Sequence, residues 1–310
     1  MYIFDNKITI KNKAVLEEYL NGYEYETSGL SFSALYMWRD INEFCFEIIG
    51  DYMCISGISH LELDQKLNFM FPPLTKTGSY DRNKLRETIL EAKKIFESKG
   101  AVFNLRLVPE HMTQLICDAV PEIEFSEDRP NFDYIYRRED LVELRGKKYH
   151  AKKNYINSFK KNYEYEYEPI NSGMADELME FIEFFNSRKE IPEHEMELLK
   201  NEEAAMRDVF ENFEACGYYG GIIRIDGKVQ ALTAGGRLGS NMLTQHIEKA
   251  NTDYRGLYPM ICNEFCKALP EDIEFINREE DMGIENLRKA KLSYKPVKLL
   301  EKYIGNFKAK

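Results

Sequence analysis

Residues Tyr218–Leu269 read YYGGIIRIDGKVQALTAGGRLGSNMLTQHIEKANTDYRGLYPMICNEFCKAL. The Asp226-Gly227 pair separates two β-prone runs, YYGGIIRI and KVQALTAGGR, and Asp-Gly is a preferred two-residue hairpin turn. NMLTQHIEKA follows as a third strand, and GLYPMICNEFCKAL as a helix after the turn-rich NTDYR. Downstream come strand IEFINR, helix GIENLRKAKL and a final strand VKLLEKYI; upstream lie the alternating strand YEYEYEP and two helical stretches, MADELMEFIEFFNSR and one near 193–215.

The first half carries the same order. After an N-terminal helical stretch, EFCFEIIG and YMCISG pair across Gly50-Asp51, LNFMFPPL adds a strand, and a helix spans about 81–99, opened by Asp81 and closed by Gly100. VFNLRLV, a helix begun by Pro109, a short strand and NFDYIYRR complete it. The recurrence predicts a duplicated α/β (α+β) chain, with domains at 1–138 and 139–310, each a mixed, mostly antiparallel sheet flanked by helices.

A chain of 310 residues with 44% hydrophobic residues can bury two ordinary cores, which excludes disorder and fibrous repeats. With 42 Lys+Arg against 53 Asp+Glu the net charge is −11, so a polyanionic partner must be met by a local basic patch. No run approaches the ~20 apolar residues of a membrane-spanning helix, and MYIFDNKITIKNK lacks the features of a signal peptide. A cytoplasmic protein with no integral membrane segment is expected. The six cysteines form no CxxC pair, the histidines are scattered, and P-loop, Rossmann, GxSxG and HExxH patterns are missing, so no metal and no tightly bound cofactor is expected. Cys262 and Cys266, four apart on a helix, can face each other, with core packing the plainer reading.

Between Arg145 and Lys161 stand seven Lys/Arg and His150 with no carboxylate. At helical spacing Tyr149, Ile156, Phe159 and Tyr163 share a stripe with Lys148 and Lys152 at its edge. A phosphate would relieve the repulsion between those lysines; lysine stems lying over an apolar stripe are the structural alternative. His246 and Glu248, two apart on a strand, should point to one face, as candidates for the base or for orienting the acceptor, or as a structural pair. Asn277, Arg278, Glu279, Glu280 and Asp281 cluster at a strand end, where α/β proteins often bind ligands, and Arg288, Lys289, Lys291 and Lys295 follow. Asn277, Arg278, Glu279 and Asp281 are the candidate acceptor-binding residues, with a surface ion-pair network as the alternative.

The segments LRGKKYHAKKNYINSFKKNY, from Leu144, and NREEDMGIENLRKAKLSYKPVKLLEKY, from Asn277, together with the element order, resemble the phosphatidylglycerol lysyltransferase C-terminal domain family. The resemblance implies two tandem GNAT-like domains with the acyl-donor site in the second. It also implies aminoacyl transfer from aminoacyl-tRNA, as in lysyl-phosphatidylglycerol synthases and Fem-type enzymes. Arg255, Gly256, Leu257 and Tyr258 then stand at the donor loop, resembling a degenerate Q/R-x-x-G-x-G/A; Tyr258 and Pro259 depart from it in ways that disfavour CoA. Lys148 and Lys152 become donor contacts within a tRNA-binding segment 145–161. Tyr294 becomes a candidate proton donor to the leaving group, or a core residue. Direct attack by an amine or hydroxyl of a lipid head group, peptide or small molecule is expected, without an enzyme nucleophile. Acyl-CoA-dependent N-acylation and an inactive binding scaffold are the alternatives.

Overall fold

Asp226 and Gly227 adopt φ of 51° and 73°, the paired left-handed conformation that a tight hairpin demands, and Gly50 at 60° turns the corresponding hairpin in the first half. The computed structural model describes residues 2–59, 67–190, 192–193 and 196–308. The chain begins with β1 (Asn6–Lys7), α1 (Lys13–Leu20), α2 (Phe32–Trp38), β2 (Cys45–Ile49), β3 (Tyr52–Ser59) and β4 (Leu67–Met70). It continues through α3 (Arg82–Ser98), β5 (Asn104–Pro109), α4 (Glu110–Ala119), β6 (Ile123–Glu127) and β7 (Asp133–Arg137). As anticipated, the Asp81 carboxylate caps α3, accepting from the amides of Asn83 and Lys84 at 2.9 Å each.

The second half comprises α5 (Arg138–Glu143), α6 (His150–Asn162), β8 (Glu166–Pro169), α7 (Ala175–Ser187), α8 (Met196–Glu211) and α9 (Phe213–Cys216). Then come β9 (Tyr218–Ile225), β10 (Lys228–Leu238), β11 (Met242–Ala250), α10 (Leu257–Ala268), β12 (Phe275–Asn277), α11 (Glu285–Leu292), β13 (Lys298–Leu300) and β14 (Lys302–Phe307). Residues 194 and 195 of the helical stretch expected near 193–215 lie outside the described residues.

The described strands form two seven-stranded sheets of matching order, β1-β2-β3-β4-β5-β14-β6 and β8-β9-β10-β11-β12-β7-β13. Neighbours pair antiparallel except β4 with β5 and β11 with β12, one parallel contact at the same place in each sheet. The sixth position of each sheet is filled by the other half of the chain. Sheet membership therefore departs from a cut at 138/139: β7 lies in the second sheet, and the run VKLLEKYI splits, its first part staying in the second sheet as β13 and its last crossing to the first as β14.

A buried ion pair fastens the crossing. Lys302 on β14 and Asp133 on β7, 1% and 0% exposed, meet at 2.7 Å, and Asp133 also accepts from the Ser28 amide and hydroxyl and from Asn277. Each face of the second sheet is covered. Leu232 and Ile247 join Leu35 of α2 and Met206 of α8 in one core shared with the first half, while Leu243 of β11 clusters with Cys262 and Phe265 of α10. No helix among the described residues is long and apolar enough to cross a membrane.

Candidate functional site

β11 and β12 pair only from Met242–Thr244 to Phe275–Asn277, and beyond Thr244 the two strands part. Two side-chain bridges span the gap: Glu248 Oε1 accepts from Arg278 Nη2 at 2.7 Å, and His246 Nδ1 lies 2.7 Å from Glu279 Oε1. They lie on opposite faces. β10 pairs Ala234 with Ile247 but Gly235 with Gln245, so His246 is the extra residue of a β-bulge. The expectation that His246 and Glu248 share a face fails for this reason, because a bulge interrupts the alternation of side chains. Gln245 and Glu248 face α10 and touch at 2.7 Å, whereas His246 turns to α2, where Ser33 Oγ is 2.9 Å from Nε2.

On the α10 face, Arg278 lies 4.9 Å from the Tyr294 ring and 5.9 Å from that of Tyr136. Lys152 projects from α6 onto the same Tyr294 ring, its Nζ 3.9 Å from the centroid, and among the described residues it forms no ion pair. Burial, reinforced by the charge of Arg278, pushes the Lys152 ammonium below its ordinary pKa. Two polar atoms here are buried and unpartnered among the described residues, the donor Arg278 Nη1 and the acceptor Gln245 Oε1. An unmet buried donor costs about 1–3 kcal/mol. Cys262 borders this niche; a hydrogen bond with Cys266, and then the Arg278 and Lys152 charges, hold its thiol below the usual range. Tyr294 is buried, and burial drives its phenol well above the usual value.

The remaining candidates are dispersed. Gly256, at φ 96°, precedes α10, and a Cβ there would sit 2.5 Å from the Tyr155 carbonyl of α6, so the loop is closed against that helix. Leu257 is buried, Tyr258 is partly buried, and Arg255 stacks 5.3 Å from the exposed Tyr155 ring. Lys148 precedes α6 in a 3-10 turn, half exposed and 3.7 Å from Asp140, apart from the niche that Lys152 enters. Tyr149, Ile156 and Phe159 are buried beneath α6, as the stripe requires.

Asn277 and Asp281 are committed internally. Asn277 donates to the Glu26 carbonyl and to Asp133, and accepts from the Glu279 amide. Asp281, fully buried, receives Arg129, Arg288 and Tyr134 at 2.6–3.0 Å. Burial alone would raise its carboxyl, but the Arg288 and Tyr134 hydrogen bonds keep it far below the carboxylate range. The hydrogen-bonding atoms of these two candidate acceptor-binding residues are thus engaged by protein groups. Lys291, expected on a basic surface, instead donates to the backbone carbonyls of Arg278 and Glu280 and fixes the loop carrying both bridges.

The family model for the phosphatidylglycerol lysyltransferase C-terminal domain matches residues 21–305. The chain belongs to this family. A crystal structure from Bacteroides thetaiotaomicron VPI-5482, described as a conserved protein of unknown function, is 34% identical, with 99% of this chain and 100% of that one covered and a TM-score of 0.86. L-PGS from Bacillus licheniformis is similar at TM-score 0.66 and 12% identity, covering 99% of this chain and 94% of that one. FemX follows at 0.61 and 9%, covering 97% and 96%. At such identities these last two share the fold, the tandem GNAT-like architecture that the sequence resemblance implied. No protein of curated function matches the sequence.

In this phosphatidylglycerol lysyltransferase C-terminal family member, Tyr136, Gln245 and Ser33 join the candidate residues only through the structure. Ser33 and Tyr136 reach β11 and its surroundings from the first half of the chain, and no local spacing signals that. Gln245 was hidden by the bulge, which puts residues three apart on one face.

Proposed function

We propose that this protein is an acyltransferase that moves an aminoacyl group from the ester of an aminoacyl-tRNA to an amine or hydroxyl acceptor, using the niche between β11 and the loop after β12. The observation that carries this reading is the unpaired Lys152 ammonium beside the unpartnered Arg278 Nη1. Two cationic donors held in desolvated surroundings match the oxyanion that forms when an ester carbonyl is attacked. Membership of a family named for aminoacyl transfer supports the same reaction class.

In this mechanism Glu248 takes the proton of the attacking amine or hydroxyl, the new bond forms at the ester carbon, and the ribose C–O bond breaks. Tyr294 returns a proton to the departing oxygen. Its raised pKa suits a group that stays protonated until then. The basic face from Arg145 to Lys161 meets the tRNA backbone, and the acceptor is a lipid head group, a peptide or a small molecule. Closure of Gly256 against α6 weighs against CoA, whose pyrophosphate would need that helix N-terminus open.

Equilibrium retention of labelled aminoacyl-tRNA against deacylated tRNA across a salt series, with acetyl-CoA as competitor, tests the reading. Expected are preference for the charged form, indifference to acetyl-CoA, and a flatter salt dependence when Lys148→Ala and Lys152→Ala are combined. No retention at low salt, or displacement by acetyl-CoA, would overturn it.

A further inference from the structure

The α2 face of β11 holds a second chain of hydrogen bonds, running Ser31–Ser33–His246–Glu279. Glu279 accepts at 2.7 Å from His246 Nδ1, which therefore carries the proton and leaves Nε2 to accept from the Ser33 hydroxyl at 2.9 Å. Ser31 Oγ, 3.0 Å from Ser33 Oγ, supplies the hydroxyl donor that completes the series. We propose that Ser33, His246 and Glu279 form a serine esterase site that hydrolyses small carboxylic esters with a cationic acyl group.

Four irregularities converge on this arrangement. The bulge in β11 turns His246 toward α2. Glu279 sits at φ 59°, a left-handed conformation costly for a non-glycine residue, held by the hydrogen bond that its backbone N–H donates to Asn277 Oδ1 at 2.8 Å, and this aims its carboxylate at His246. Gly236 lies directly against the Ser33 side chain, so close that any Cβ would collide with the hydroxyl. Tyr218 donates to the Ser33 carbonyl at 2.7 Å while its ring meets His246 edge-on at 5.9 Å. Oriented carboxylate, fixed imidazole tautomer and hydrogen-bonded serine are the parts of a charge-stabilised nucleophile, an arrangement that recurs on unrelated folds.

Ser33 also lines a cavity of about 370 Å³ between the two halves, large enough for an amino-acid-sized acyl group. Its other walls include Asn21, Glu17, Glu24 and Arg237; Glu17 is paired with Lys13 at 3.8 Å and Arg237 with Asp272 at 2.8 Å, so the charge left to the cavity is that of Glu24, which favours a cation. In the reaction, Ser33 Oγ attacks the ester carbon as its proton passes to His246 Nε2. The C–O bond to the alcohol breaks, and that oxygen leaves with the proton. Water then attacks the acyl-serine, yields its proton to His246, and the carboxylic acid departs as Ser33 is reprotonated. The sequence expectation of no enzyme nucleophile is thus revised for this face, because Ser33 and His246 stand 213 residues apart. The inference is independent of tRNA as donor.

The test uses the full chain with a biotinylated fluorophosphonate, read by intact mass and peptide mapping, and with the p-nitrophenyl esters of lysine and of acetic acid. Expected are one adduct, on Ser33, its loss in Ser33→Ala, and labelling at least ~100-fold slower in His246→Gln and Glu279→Gln, which keep hydrogen-bonding groups but lose the base or its charged partner. The lysine ester should be cleaved faster than the acetate, with the preference reduced in Glu24→Gln. No adduct, an adduct elsewhere, unchanged labelling in His246→Gln or no preference for the lysine ester would overturn the proposal. If Ser33→Ala fails to fold, Ser33→Cys serves instead: alkylation by iodoacetamide at position 33 faster than at the six native cysteines supports the activated nucleophile, and equal rates overturn it.

Discussion

Lys152 holds its charge where water is scarce, so its two protonation states weigh differently on folding and on binding. Its pKa is lowered in the folded state, so folding disfavours the ammonium, and this penalty is fully present at neutral pH and fades as pH climbs past the lowered value toward 10.5. Lys152→Met should raise the melting temperature by roughly 1–3 °C at pH 7, with the gain vanishing once pH exceeds 10.5, while weakening retention of the charged donor. Glu280 has the opposite sign. Burial, with Glu279 and Asp133 adding to it against the pull of Lys302, raises its carboxyl to about 7. Its stabilising contribution is complete below about 4.5 and lost as pH rises through 7, so Glu280→Gln should melt above wild type at pH 8.5 and level with it at pH 4.5. Arg278, Glu248 and Lys152 were legible as polar residues at a strand end and a stripe edge. The separation of His246 from Glu248 was not, because one extra residue in a strand leaves no mark in composition or period.

At the level of elements, the hairpins and capped helices followed from local chemistry. Asp226-Gly227, Gly50 and Asp81 each announce their conformation through the residue type the backbone requires. Packing between elements is less visible. Gly256 looked like part of a phosphate loop, yet its bare Cα is what lets α6 approach the start of α10. Gly256→Ala combines a left-handed φ with a collision against the Tyr155 carbonyl, and about 2 kcal/mol or more of lost stability is expected. Chemical denaturation gives the loss, and hydrogen exchange should show it concentrated in α6, whose basic face would then be presented less firmly. Unchanged exchange in α6 would mean that this helix is held from elsewhere.

For the whole molecule, the doubled element order was readable and the exchange of strands was not. The last strand shows the same alternation whichever sheet receives it, and the choice is made by Lys302, which reads as a surface residue until Asp133 is placed beside it. Lys302→Met leaves that carboxylate buried without its counter-ion, and a cost of about 3–5 kcal/mol is expected in urea unfolding. Both halves should be lost in one transition, because each sheet contains a strand of the other; two separate transitions would contradict this coupling. The same exchange sets a timetable for biosynthesis. When β6 leaves the ribosome its partner β14 has yet to be translated, and at 5–20 residues per second the wait lasts on the order of ten seconds. Through that interval β5 keeps one edge unpaired and β6, whose ladder partner is β14, is held by no strand, so both are open to neighbouring chains.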